Sequence, residues 1–334
     1  MQPEARLVAP ALSLLLLATA AAFLSLLVMR HLPDLASLPD ALLSPDPFAM
    51  GEMRVHYSVL PRLAVSLVCG AALALAGVLM QQVLRNPLAS PSTLGVSVGA
   101  QFALSVALLA SPSLIAFGRD LVAIAGGAAA AALVLALSWR RGLEPFSVVV
   151  AGLIVGLALS SGSAALVLHN ERYLAGLFLW GSGALTQYDW HVASLLWPRL
   201  AVAAVLAALI ARPLAMLDLD TVAGALGVNT LLTRLAALGI AVVLTAIVTA
   251  EVGVLGFVGL AAPAIARAVG CRRLGARLIW APLIGALLLT VTDLAVQLLA
   301  SISSISLPTG AVTAFLGAPV LLWLLPRLGR RGAP

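Results

Sequence analysis

Lysine is absent from this chain: all 19 basic residues among its 334 are arginine. Without lysine a Walker A phosphate loop cannot be built, and neither Schiff-base chemistry nor a lysine nucleophile is available. Charge is scarce as well. Only 10% of residues are charged, against about a quarter in an ordinary soluble domain. The two cysteines, Cys69 in an apolar run and Cys271 in an arginine-rich loop, offer no disulfide framework and no metal-ligand spacing. Four histidines (His31, His56, His169 and His191) are scattered, with no HExxH or paired arrangement. No Ser/His or His/Asp/Glu constellation is visible. The sequence therefore predicts neither an enzyme nor a resident metal or cofactor.

What remains is apolar. Hydrophobic residues make up 62% of the chain and the mean hydropathy is +1.11. Runs of about 20 residues match a hydrocarbon core of about 30 Å at a helical rise of 1.5 Å per residue. They lack the alternation of barrel strands, which excludes an outer-membrane barrel. The expected spans are 7–29, 62–82, 93–110, 121–139, 148–168, 192–211, 235–250, a broken segment 253–269, 278–300 and 309–325. The first run is too long for a signal peptide and shows no cleavage pattern before Arg30, so it is expected to be retained. The stretch 30–60 reads as the longest extramembrane segment. The reading is an all-α polytopic membrane protein with about ten transmembrane helices in one domain over 1–334.

Arginine placement orients these spans. With the N-terminus inside, thirteen arginines from Arg6 to Arg331 fall on the cytoplasmic side. The other six (Arg30, Arg54, Arg62, Arg119, Arg172 and Arg199) fall outside. This asymmetry predicts both termini in the cytoplasm and accounts for the pI near 10.6 without nucleic acid. Small residues punctuate the spans, as in the pairs Gly95–Gly99 and Gly152–Gly156, Gly126-Gly127 and Gly285, and these predict close helix packing. Asp293 alone sits well inside a span, with Glu251 at a helix end. Asp293 is expected to be a structural carboxylate bonded to hydroxyls such as Thr290 or Thr292. An ion-driven secondary transporter would need more intramembrane ionisable groups than these.

Two stretches on the cytoplasmic side resemble docking surfaces. The loop at about 217–234, LDLDTVAGALGVNTLLTR, is amphipathic enough for short helices. Asp220 or Thr221 is placed to cap a first helix, Gly227 to end it, and Asn229 or Thr230 to start a second. The other stretch, Arg85-Asn86-Pro87-Leu88-Ala89-Ser90-Pro91, predicts a rigid two-proline turn.

The region HYSVLPRLAVSLVCGAALALAGVLMQQVLRNPLASPSTLGVSVGAQ, from His56 to Gln101, resembles the signature of iron-siderophore and vitamin B12 permeases, the FecCD-type family. GVLGFVGLAAPAIAR, from Gly253 to Arg267, and LPTGAVTAFLGAPVLLWLLPR, from Leu307 to Arg327, match the same family in the same order. The resemblance implies a ten-helix permease in the inner (plasma) membrane, one of two identical or homologous units around a translocation path. It implies two cytoplasmic ATPase subunits, a periplasmic or lipid-anchored binding protein, and a ferric siderophore as cargo. Cobalamin and haem are alternative cargoes on the same architecture. On the same basis 221–227 is the expected first coupling helix, with Thr221, Ala223, Gly224, Leu226 and Gly227 against the ATPase. Arg62 is the expected docking residue for acidic groups on the binding protein. Departures from the family pattern are Val59 where many members have arginine, Pro263-Ala264 for Pro-His, and Gln297 for arginine four residues after Asp293. With QQVLRNPLA and WPRL, these resemble the first halves of double-length permeases for ferric hydroxamates.

Overall fold

The computed structural model describes residues 37–110, 112–141, 144–169, 181–219, 227–302, 307–315, 317 and 319. Among these there are helices and turns and no strands. Six helices are long and apolar enough to cross a membrane. The chain is a multi-pass membrane protein. Eight of the ten expected segments are helical in the described residues. The first, 7–29, lies outside them, and of the last only residues up to 319 are described, within a helix that starts at Thr309.

A short helix α1 (Leu38–Leu43) precedes α2 (Met50–Arg54), which runs through a π-helical turn (Val55–Val59) into α3 (Leu60–Val83). The stretch 30–60, expected as the longest extramembrane segment, is partly helical from Leu38 on. Glu52 and Arg54 end the apolar run but not the helix, because charge limits membrane burial rather than helix formation. There follow α4 (Val96–Ala110), α5 (Pro112–Trp139), α6 (Pro145–His169), α7 (His191–Leu209) and α8 (Ala211–Met216). Next come α9 (Thr230–Val252), α10 (Val258–Ala268) and α11 (Leu274–Ile302), ahead of the helix that starts at Thr309. Gly118 breaks the helical geometry early in α5.

Helix α3 is the hub. Its most apolar window is 78% buried, and it packs against α11, α9, α10 and α7. Lipid gives helices no hydrophobic reason to associate, so close approach of small residues has to supply the contact. Gly70 of α3 meets the backbone of Gly285 on α11, and Gly77 meets Gly259 on α10. A Cβ at either α3 position would overlap the facing backbone, so only glycine permits these crossings. Gly99 and Gly126 bring α4 and α5 together in the same way. Helices α3 and α11 are antiparallel. Their paired positions, 66 with 290 and 70 with 285, keep a nearly constant sum along the contact.

Candidate functional site

Polar side chains on α3 and α11 are concentrated at the two ends of their contact. At one end, in the first turn of α3, Arg62 forks onto Asp293. Nε donates to Oδ2 and Nη2 to Oδ1, each at 2.8 Å. Gln297, one turn further along α11, donates to Oδ2 at 2.8 Å, and the Thr309 hydroxyl donates to Oδ1 at 2.9 Å. Asp293 is completely buried, while the Arg62 side chain keeps 17% of its exposure. Four donors, two from a cation, saturate the carboxylate and neutralise its charge, the condition for burying a carboxylate among apolar helices. The π-turn and Pro61 lie just before Arg62. A π-turn accommodates one extra residue and so re-aims the face that follows it.

The expected partners of Asp293, Thr290 and Thr292, are both engaged elsewhere. The Thr290 hydroxyl pairs with Ser66 at 2.9 Å, and Thr292 donates to the carbonyl of Leu288 at 2.8 Å. A threonine inside a helix can satisfy its hydroxyl on its own backbone, as Thr292 does, and a neutral hydroxyl cannot balance a buried charge. A guanidinium can.

The other end holds a second network. Gln82, in the last turn of α3 and buried, donates from Nε2 to Asp218 Oδ1 at 2.9 Å and accepts on Oε1 from Arg277 Nη2 at 2.6 Å. Its Nε2 also approaches the Leu214 carbonyl at 3.5 Å. Arg85, with a left-handed φ of 48°, donates to the Leu217 carbonyl. The two-proline turn that follows is fastened internally. Asn86 Oδ1 accepts from Leu88 N at 2.9 Å, Ser90 and Thr93 cap each other's backbone N–H, and Arg267 reaches the Pro87 carbonyl at 3.4 Å. Its expected rigidity has this hydrogen-bond basis.

A third feature is the interruption between α9 and α10. Gly253 has φ 80° and Phe257 has φ 67°, an uncommon left-handed conformation for a bulky residue. Non-helical backbone at membrane depth is tolerated where protein or a cavity surrounds it. Phe257 and Leu260 line a cavity of about 340 Å³ with Ser92, Thr93 and the α6 face carrying Gly152 and Gly156. The broken segment expected at 253–269 corresponds to this interruption and helix α10.

Of the expected coupling residues, Thr221, Ala223, Gly224 and Leu226 lie outside the described residues. Gly227 is described, with φ 81° and open space where a Cβ would stand. Asn229 caps a helix, accepting from Leu232 N at 3.0 Å, but that helix is the long α9 and not a second short one. The reason is continuity of helix-forming residues from Thr230 into the apolar run, with neither glycine nor proline before Gly239. Arg62 stands in the ion pair just described, 231 positions from its partner. Sequence reasoning missed Gln82, Asp218 and Arg277. Their signals were a Gln81-Gln82 pair in an otherwise apolar run and an arginine in the first turn of a span.

Residues 15–327 match the FecCD transport family. The chain is 45% identical over 327 residues to the iron(3+)-hydroxamate import system permease protein of Salmonella typhimurium, covering 97% of this chain and 47% of that protein. It is 38% identical over 282 residues to the ferric enterobactin transport system permease protein of Escherichia coli, covering 81% of this chain and 82% of that protein. A solved structure of a metal-chelate type ABC transporter in an inward-facing conformation is similar with a TM-score of 0.75 at 26% identity. That match covers 95% of this chain and 98% of the other. The chain spans about half the length of the hydroxamate permeases of Salmonella typhimurium and Escherichia coli that it matches.

Proposed function

The chain belongs to the FecCD transport family, and we propose that it is the transmembrane permease unit of an ATP-binding-cassette importer carrying ferric hydroxamates across the inner membrane. The observation that carries this reading is the 45% identity to a hydroxamate permease, sustained over nearly the whole chain. Physical chemistry supports it from a second direction. The intramembrane carboxylate Asp293 is saturated by four donors, and a saturated, neutralised carboxylate is a poor carrier of protons or cations. With no lysine to build a phosphate loop, ATP hydrolysis belongs to separate cytoplasmic subunits, two of them.

A unit spanning half of the Salmonella typhimurium and Escherichia coli hydroxamate permeases is proposed to need a second, homologous or identical unit to complete the path. The loop at about 217–234, including Thr221, Ala223, Gly224, Leu226 and Gly227, is proposed to sit in a groove of the ATPase. A periplasmic or lipid-anchored binding protein is proposed to deliver cargo at the Arg62 end. There Arg62 has two nitrogens committed to Asp293, so a docking carboxylate would be met by its remaining Nη1.

The test is uptake into proteoliposomes holding this chain with its co-purifying permease, ATPase and binding-protein partners. An iron-loaded trihydroxamate should accumulate only with ATP inside the compartment of the ATPase. Uptake of a ferric catecholate or cobalamin in its place would reassign the cargo. Uptake that persists without ATP and collapses with a protonophore would replace the importer reading with an ion-driven one.

A further inference from the structure

We propose that Gln82 is the positioning residue that passes movement of the loop beginning at Leu217 to the α3–α11 pair. The proposal rests on the coupling role given above to the 217–234 loop. Gln82 bonds both that loop's first turn and α11, through Asp218 at 2.9 Å and Arg277 at 2.6 Å. Its amide suits the task because it presents a donor and an acceptor on opposite sides of one planar group. The acid takes the donor and the guanidinium supplies the acceptor's partner, so the amide orientation is set by charge on both sides.

Burial makes this link persistent. Gln82 and Arg277 are only 4% and 8% exposed, so breaking either bond would strand a polar group away from water. Asp218, by contrast, is exposed and sits in the 3-10 turn Leu217–Leu219, at the start of the loop. Arg85 adds a parallel tie from the end of α3 to the Leu217 carbonyl. What the loop pulls on is stiff. Between Gln82 and the Arg62–Asp293 fork, α3 and α11 are joined again at Ser66–Thr290 and at the Gly70–Gly285 contact. A pair held at both ends and in the middle moves as one body, so a displacement of Asp218 reaches both helices together.

The experiment compares cargo imported per ATP hydrolysed by the complete complex in proteoliposomes. Asp218→Ala removes the acceptor at an exposed position and leaves the fold intact, whereas Asp218→Asn retains an Oδ1 acceptor. Gln82→Glu keeps acceptance from Arg277 but repels Asp218. Asp218→Ala and Gln82→Glu should each lower the ratio on the order of tenfold, within the range of site-to-site coupling, while Asp218→Asn stays near the parent. Thr245→Ala, which cuts a hydrogen bond within α9 and outside the α3–α11 pair, should leave the ratio unchanged. An unchanged ratio in Asp218→Ala, or an equal fall in Thr245→Ala, would overturn the assignment. Gly227→Trp separates this from failure of the underlying reading. If it leaves ATPase retention and the ratio intact, the loop is not the coupling element. If it lowers them while Asp218→Ala does not, only the relay is wrong.

Discussion

Replacing Arg62 by methionine removes the charge and keeps most of the apolar stem, and its consequence can be worked from the geometry. Asp293 is completely buried, so losing its cation leaves a carboxylate held only by Gln297 and Thr309. Removing one partner of a buried pair costs about 3–5 kcal/mol, because the remaining charge has no access to water. The opposite change, Asp293→Asn, strands the guanidinium instead. Arg62 retains 17% exposure in the first turn of its helix, and a long stem there can carry the charge to the interface. Asparagine also preserves one carbonyl acceptor for Thr309 or Arg62. That substitution should cost about 1.5–3 kcal/mol, the scale of a hydrogen bond to a charged group.

The expected result is therefore an asymmetry of about 2 kcal/mol, with Arg62→Met the worse of the two. Unfolding in mixed micelles, followed by circular dichroism as the SDS fraction rises, measures it as a shift in midpoint. Equal losses, or a larger loss for Asp293→Asn, would refute the claim that burial of the carboxylate dominates this site. The same measurement guards the docking proposal. Arg62→Glu would place a second carboxylate against Asp293, so weaker capture of the binding protein by that variant mixes docking with stability. Arg62→Met with its stability cost known allows the two to be separated.

Three further outcomes follow from particular contacts. Gly70→Ala or Gly285→Ala forces α3 and α11 apart at their backbone contact and should destabilise by about 1–3 kcal/mol in the same assay, whereas Gly239→Ala, with open space around it, should not. Cysteine at Phe48, which is 94% exposed, should label with a membrane-impermeant maleimide from the outer side only, and cysteine at Leu231, 66% exposed, from the cytoplasmic side only. Reversed labelling would invert the orientation drawn from arginine placement. Burial raises the Cys271 thiol above its ordinary range, so less thiolate is present at neutral pH. It should label more slowly there than a cysteine at Phe48 and gain rate as the pH is raised further; equal rates at pH 7 would contradict this.

The helices were legible because apolar run length is a direct consequence of membrane thickness, and eight expected segments recur as helices at nearly the expected positions. Their boundaries were less legible. The helix of Met50–Val83 extends well outside its apolar window, since hydropathy reports where lipid begins and not where hydrogen bonding stops. Gly99, Gly126, Gly127, Gly152 and Gly285 are packing points as expected, whereas Gly156 has open space where a Cβ would stand, and which glycines meet which partners depends on register between helices. The same limit hid both polar networks. Arg62 and Asp293 are 231 positions apart, Gln82 and Arg277 are 195 apart, and no local spacing rule connects either pair. Local rules instead suggested Thr290 and Thr292, the hydroxyls nearest to Asp293 in sequence.

Glycine contacts fix how close two helices lie, but a smooth small-residue surface still permits sliding and rotation. Charged or amide ties at the ends remove that freedom, because each is directional and each leaves a buried polar group stranded if broken. The α3–α11 pair has such a tie at each end, so events at its two ends are linked thermodynamically through one body. Under the importer reading this has a reciprocal consequence. If binding-protein docking at the Arg62 end raises the affinity of the ATPase for nucleotide, nucleotide must raise affinity for the binding protein by the same factor. Asp293→Asn loosens one tie without touching the ATPase face, so it should reduce both factors together and equally. Binding-protein affinity measured with and without a non-hydrolysable nucleotide, and nucleotide affinity measured with and without the binding protein, give the two factors. If both stay at the parent value in a variant whose unfolding shows the tie to be weakened, the linkage runs through other helices and α3–α11 is only scaffold.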